Sequence, residues 1–253
     1  MTLLKHLVSR ELNDRYRGSV LGFGWAFVLP LAMVAVYTFV FGFVFRARWG
    51  GADDPYAFAL FLYCGLVPYL FVADALGRAP TLLLGYGSLV KKVSFRLPLL
   101  AAAATLGACV HLAIGFAVLI GFAWIAQGSV NAIALLAPLA AVPLVLAVFG
   151  LVLVLSSSGV FFRDLAQAVA VVLPVIMFLS PVFYPISAVP PGFRAWMNAN
   201  PLTGVIGNVR ALVMNATLPD AGAWLMACAA GALVAAFGLL WFRRLTPGFA
   251  DSL

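Results

Sequence analysis

The first pattern along the chain is a four-residue rhythm. Leu4, Val8, Leu12 and Tyr16 recur every fourth position, with Leu3 and Leu7 beside them, while Lys5, Ser9, Asn13 and Arg17 take another face. That spacing predicts an amphipathic helix over 1–18, suited to an interface with its apolar face in lipid. Polar positions then become rare. Apolar runs long enough to cross hydrocarbon, which takes roughly 20 residues, occupy 19–46, 55–77, 98–126, 132–156, 165–186 and 221–243. Residues 97–162 contain no Asp, Glu, Lys or Arg, and QGSVN at 127–131 divides that stretch into two spans. Strict two-residue alternation is absent, which argues against a β-barrel. The expected fold is all-α and membrane-integral, a single unit of one interfacial helix and six spans.

Two connections stand out. Residues 78–97 are longer than a helix hairpin needs and carry Lys91, Lys92 and Arg96. Residues 187–220 are half-apolar and, with the end of the preceding span, Pro-punctuated at 181, 185, 190, 191, 201 and 219. Such a segment suits short helices that re-enter the membrane partway.

Composition agrees: 65% of the 253 residues are hydrophobic, 9% are charged, and mean hydropathy is +1.11. Charge adds orientation. With the N-terminus inside, Lys5, Arg10, Arg15, Arg17, Arg78, Lys91, Lys92, Arg96, Arg163, Arg243 and Arg244 face the cytoplasm. Only Arg46, Arg48, Arg194 and Arg210 face outward. By the positive-inside rule both termini are cytoplasmic, and the net charge of +7 reflects topology and anionic lipid. No basic stripe with interleaved aromatics suggests nucleic acid. The first apolar run exceeds a signal-peptide core and has acidic neighbours, so the segment is expected to be retained.

Candidate chemistry is sparse. GYGSLVKK at 85–92 has the wrong spacing for a phosphate-binding loop, and neither HExxH nor paired CxxC is present. Cys64, Cys109 and Cys228 are read as apolar packing. His6 lies in the amphipathic start; His111, mid-span, is expected to be packed and neutral. Asp74 is the one acid inside an expected span, near its end. Glu11 precedes Arg15 by four, the favourable order for a helical ion pair. Arg163 and Asp164 open the fifth span, where Asp164 also suits the helix dipole. Gly18 and Gly22 permit a bend between the first helix and the first span. A chain with neither motor nor active site works passively or is driven by a partner.

Against that background, RELNDRYRGSVLGFGWAFVLPLAMVAVYTFVFGFVF (10–45) resembles the opening of permease subunits of type 2 ABC exporters for polysaccharides such as O-antigen or teichoic acid. Further stretches fit in order: 65–95, FFRDLAQAV at 161–169, 178–213 with its SPVFYP and NPL, and GFADSL at the end. Two departures are a proline displaced to Arg96-Leu97-Pro98 and, in GVIGNVR, no acid ahead of Arg210.

The resemblance implies an inner-membrane homodimer with two cytoplasmic ABC ATPase subunits, moving a glycan on a polyprenyl diphosphate through a channel at the dimer interface. It implies no cofactor in this chain, with ATP and Mg on the partner ATPase. On that reading Arg10, Glu11, Arg15, Arg17, Gly18 and Gly22 form a gate that touches the ATPase or receives the diphosphate. Lys91, Lys92, Arg96, Arg163 and Asp164 are further coupling positions. Trp25, Tyr37, Tyr63, Tyr69, Phe183, Tyr184 and Arg210 are candidates to line the substrate path. The alternatives are an ABC-2 permease for drugs or small lipids, and a membrane transferase or scaffold; the latter lacks the clustered acids or metal site such enzymes need.

Overall fold

A computed structural model of the protein describes residues 2–44, 55–87 and 96–249. Lys91, Lys92, Arg46 and Arg48 lie outside the described residues, as do residues 88–95 of the 78–97 connection and the ending ADSL. Among the described residues there is no β-strand. The helices are α1 (Thr2–Tyr16), α2 (Trp25–Tyr37), α3 (Pro55–Arg78), α4 (Pro98–Gln127), α5 (Val142–Gly159), α6 (Leu165–Phe178), α7 (Pro191–Asn198), α8 (Pro201–Met214) and α9 (Ala221–Leu245).

Five helical stretches are long and apolar enough to cross a membrane: Gly22–Val40, Tyr56–Thr81, Pro98–Gln127, Ala132–Gly159 and Ala221–Gly248. The protein is a multi-pass, all-helical membrane protein. The remaining expected span, 165–186, is a helix only to Phe178. Its fourteen residues reach about 21 Å, short of the roughly 30 Å of hydrocarbon. The stop is local: the Ser180 hydroxyl donates back to the Ile176 carbonyl, and Pro181 has no N–H with which to continue.

Polar punctuation elsewhere caps helices. Gly128, at φ 70°, ends α4, and the Asn131 side chain accepts from the Ile133 N–H. Asn200 caps α8 through the Leu202 N–H, with Pro201 at the first helical position. Asp220 caps α9 through Gly222 and Ala223. The half-apolar segment therefore does form short helices. One face of α8 is buried through Leu202, Val205, Ile206, Val209, Leu212 and Val213.

α3 is the most enclosed span, packed against α4, α8 and α6, while α2 and α9 expose most of their surface. Between helices in lipid, close van der Waals contact replaces the hydrophobic drive, and small residues permit it. α5 and α9 meet this way. A Cβ at Gly150 would strike the Val234 carbonyl, one at Gly238 the backbone of Gly150, and one at Gly231 the Pro143 carbonyl. Trp224 Nε1 donates to the Leu139 carbonyl, just before α5, at 3.2 Å and Trp241 Nε1 to Ser158 Oγ, at the end of α5, at 3.1 Å, pinning α9 at both ends of this seam.

Positions expected on the cytoplasmic side gather at one end of the bundle. Gly159 abuts Pro80, Phe161 packs on Phe249, and Arg96 lines a groove with Arg243. Gln127 reaches the Val213 carbonyl at the other end.

The first helix packs on the bundle: of its apolar stripe, Leu7 is buried in the hydrophobic core, and Leu4 and Val8 are half-buried against it. The reason is further along the same stripe, where Glu11 and Arg15 follow Leu7 at four-residue steps. Lipid offers those charges no partners; the protein does.

Candidate functional site

α1 docks on α4 across Gly107, where a Cβ would stand 3.2 Å from Glu11 Cγ, and this lets α1 charges reach the end of α3. Arg15 Nη1 donates to Asp74 Oδ2 at 2.6 Å, and Arg78 Nη1 meets Glu11 Oε1 at 3.0 Å. Within the helices, Arg78 Nε lies 3.4 Å from Asp74 Oδ1 and Arg15 Nε 3.9 Å from Glu11 Oε1. The four side chains thus form a closed ring of alternating charge with zero net charge. Glu11 and Arg15 are nearly buried, at 12% and 11% side-chain exposure.

His111, on α4, adds a second fastening. Arg15 Nη1 sits 2.8 Å from His111 Nδ1, and the Tyr16 hydroxyl hydrogen-bonds Nε2. Nδ1 also lies 3.1 Å from the Gly107 carbonyl oxygen and 3.8 Å from Asp74 Oδ2, so the guanidinium, a carbonyl and a carboxylate all converge on one ring nitrogen. Tyr86 donates to Glu11 Oε2 at 3.5 Å, and Arg10 stacks over the Tyr86 ring at 5.2 Å while pairing with Asp14 at 3.5 Å. Burial lifts the Glu11 carboxyl above its ordinary pKa, with the Arg15 charge pulling the other way. Burial likewise raises the phenols of Tyr16 and Tyr86.

Beneath this polar cluster is a cavity of about 300 Å³. Arg15, Tyr16, Asp74 and His111 form its polar end; Trp25, Leu29, Met33, Val67 and Phe71 line its apolar body, with Tyr63 among them. Tyr63 is almost fully buried, and its hydroxyl has no hydrogen-bond partner among the described residues.

The other candidate residues are placed as follows. Gly18 and Gly22 hold φ values of 81° and 50°, left-handed backbone where the chain turns from α1 into α2. Arg17 is exposed, and with His6, Ser9, Arg10, Asn13 and Asp14 it borders an open polar groove on the outer face of α1. Arg163 and Asp164 are exposed at the start of α6, where Asp164 makes no side-chain cap. Arg96 is exposed beside α9.

Of the aromatic path candidates, Trp25 and Tyr63 line the cavity. Tyr37 is half-buried against the core. Tyr69 donates to the Leu173 carbonyl at 3.3 Å and Tyr184 to the Phe178 carbonyl at 2.6 Å, while Phe183 stacks on Phe178. Arg210, without the acid whose absence the sequence already shows, donates to the carbonyls of Val182 at 2.8 Å and Phe61 at 3.3 Å. Its guanidinium also lies over the Phe61 ring at 3.5 Å. It braces α8 against α3 and the turn after α6.

Asp74, Arg78 and His111 are the site residues that sequence reasoning left outside its candidate set. Their signal was present, since ionisable groups in or beside apolar spans point to function, but their common partner on α1 was not visible. Among the described residues, no three His, Cys, Asp or Glu side chains gather to hold a metal ion.

The comparisons agree with one another. A family model described as ABC-2 type transporter matches residues 2–214. The chain is 30% identical over 260 residues to a Myxococcus xanthus protein named O-antigen export system permease protein RfbA, covering 99% of this chain and 95% of that one. It is 26% identical over 253 residues, with the same coverage, to a Klebsiella pneumoniae protein of the same name.

Proposed function

Since the chain belongs to the ABC-2 type transporter family, we propose that it is the membrane subunit of an ATP-driven exporter of a lipid-linked polysaccharide. The observation that carries this is end-to-end similarity to relatives named for O-antigen export, across 99% of the chain. The working unit is a homodimer in the bacterial inner membrane with two cytoplasmic ABC ATPase subunits, which bind ATP and Mg. The glycan, on a polyprenyl diphosphate, passes at the dimer interface. This subunit performs no chemistry of its own.

The end of the bundle that holds α1, Arg78, Arg96, Arg163 and Arg243 faces the cytoplasm, and both termini lie there. α6 with the turns after it makes the sixth crossing, and α7 and α8 are half-membrane helices on the outer side. The exposed polar face of α1, with Arg10 and Arg17, meets the ATPase together with Arg96, Arg163 and Asp164. The same coupling role is proposed for Lys91 and Lys92. Arg15, already neutralised by Asp74, holds α1 in place in this conformation instead of offering a free cation to a diphosphate.

Deleting the chain tests the reading: lipid-linked glycan accumulates inside the cell and surface glycan disappears. Normal surface glycan in the deletion strain sinks it. The cavity of about 300 Å³, at the small end for ligand pockets, favours a second reading in which the cargo is a small amphiphile. Drug or lipid efflux with unchanged surface glycan would decide for that one.

A further inference from the structure

The charge order on the two helices has a mechanical consequence. α1 presents Glu11 then Arg15, α3 presents Asp74 then Arg78, and the bridges join Arg15 to Asp74 and Glu11 to Arg78. The pairing is antiparallel. Sliding α1 by one turn, about 5.4 Å, sets Arg15 against Arg78 in one direction and Glu11 against Asp74 in the other. Both are like-charge contacts in a nearly buried site. Lifting α1 away has no such cost, because each helix keeps an internal pair four residues apart and leaves no orphan charge.

We propose that Glu11, Arg15, Asp74 and Arg78 are a register-fixing clasp, from which α1 lifts as a unit, rather than slides, when the exporter opens. The lifting step rests on the transport reading above; the clasp does not. A buried ion network contributes little net stability over apolar packing but penalises wrong pairings, so its product is one allowed position for α1. Release also removes Arg15 and Tyr16 from the polar end of the cavity and opens it toward that end of the bundle.

The decisive variant exchanges the two α1 charges, Glu11→Arg with Arg15→Glu. Net charge and the internal pair survive, while both bridges to α3 become repulsive. In the purified chain, amide hydrogen exchange across residues 4–16 should rise at least tenfold. Adding Asp74→Arg and Arg78→Asp rebuilds the ring with reversed sign and should return exchange to within threefold of the original. Unchanged exchange in the double variant overturns the clasp. So does a quadruple variant that fails to regain protection or does not fold, whatever the double variant does. For the lifting step, ATP added to the complex with its ATPase subunits should deprotect α1; protection kept while glycan is exported overturns it. A chain that exports no glycan refutes the transport reading, and the exchange measurements on the purified chain still decide the clasp.

Discussion

Arg15 and Asp74, 59 positions apart in the chain, meet through a 2.6 Å hydrogen-bonded ion pair that ties the first helix to the end of the second long span. Asp74→Asn keeps the shape and removes the charge, leaving a nearly buried guanidinium short of its counter-ion. The expected loss is about 1–3 kcal/mol of stability, read as a lower thermal midpoint of the purified chain. Arg15→Gln added to Asp74→Asn should recover part of it, so the two changes together cost less than their sum. Strict additivity would show that the pair does not act as one.

Glu11 gives a pH prediction. Burial holds its pKa above the ordinary carboxylate range, so the folded chain prefers the acid protonated more than the unfolded chain does. Stability therefore rises as pH falls from neutrality through the raised value and reaches its full amount below the ordinary value of about 4.3. Site-specific carbon-13 NMR should find the Glu11 midpoint above that figure. Arg15→Gln, which removes the opposing attraction, should move it higher still; a downward move contradicts the assignment.

The α5–α9 seam depends on absent side chains. Gly238→Ala places a Cβ on the Gly150 backbone, and overpacking of a rigid wall costs about 3 kcal/mol. Poor accumulation and a lowered thermal midpoint are expected. Gly207→Ala, with open space around it in α8, should be neutral or slightly stabilising, since Ala is the better helix former by up to about 1 kcal/mol.

Gly18 connects the docked helix to the first span at φ 81°. Gly18→Ala strains that conformation by about 1–2 kcal/mol. Insertion should persist while glycan export falls several-fold, and Gly85→Ala, in open surroundings with no left-handed φ, should leave export unchanged. Equal export in both would separate Gly18 from the opening motion.

Arg210 holds two backbone carbonyls, one on α3 and one after α6. Arg210→Ala should cost about 2–3 kcal/mol, the worth of a charged hydrogen bond, and expose the 178–200 stretch to proteolysis. Arg210→Lys, a point charge without the planar fork, should fall between. Wild-type resistance to proteolysis in Arg210→Ala would exclude the brace.

What the sequence by itself determined is the local and compositional part. The all-helical membrane class, five of the spans, the break at QGSVN and the half-apolar helices after Pro181 follow from runs of apolar residues and from Gly, Asn and Pro at their ends. Those signals lie within a few residues of the structure they set. The first helix shows the limit. Its periodicity was legible, and so was the Glu11–Arg15 pair, but its surroundings were not. Whether that stripe meets lipid or protein depends on Asp74 and Arg78, some sixty residues away, and on Gly107 and His111, nearly a hundred away. The shortness of α6 likewise came from a hydroxyl and a proline that hydropathy counts as minor. A run of apolar residues specifies that a helix is buried in something. Only packing decides what covers it, because charges on one helix become affordable solely where another helix brings their opposites.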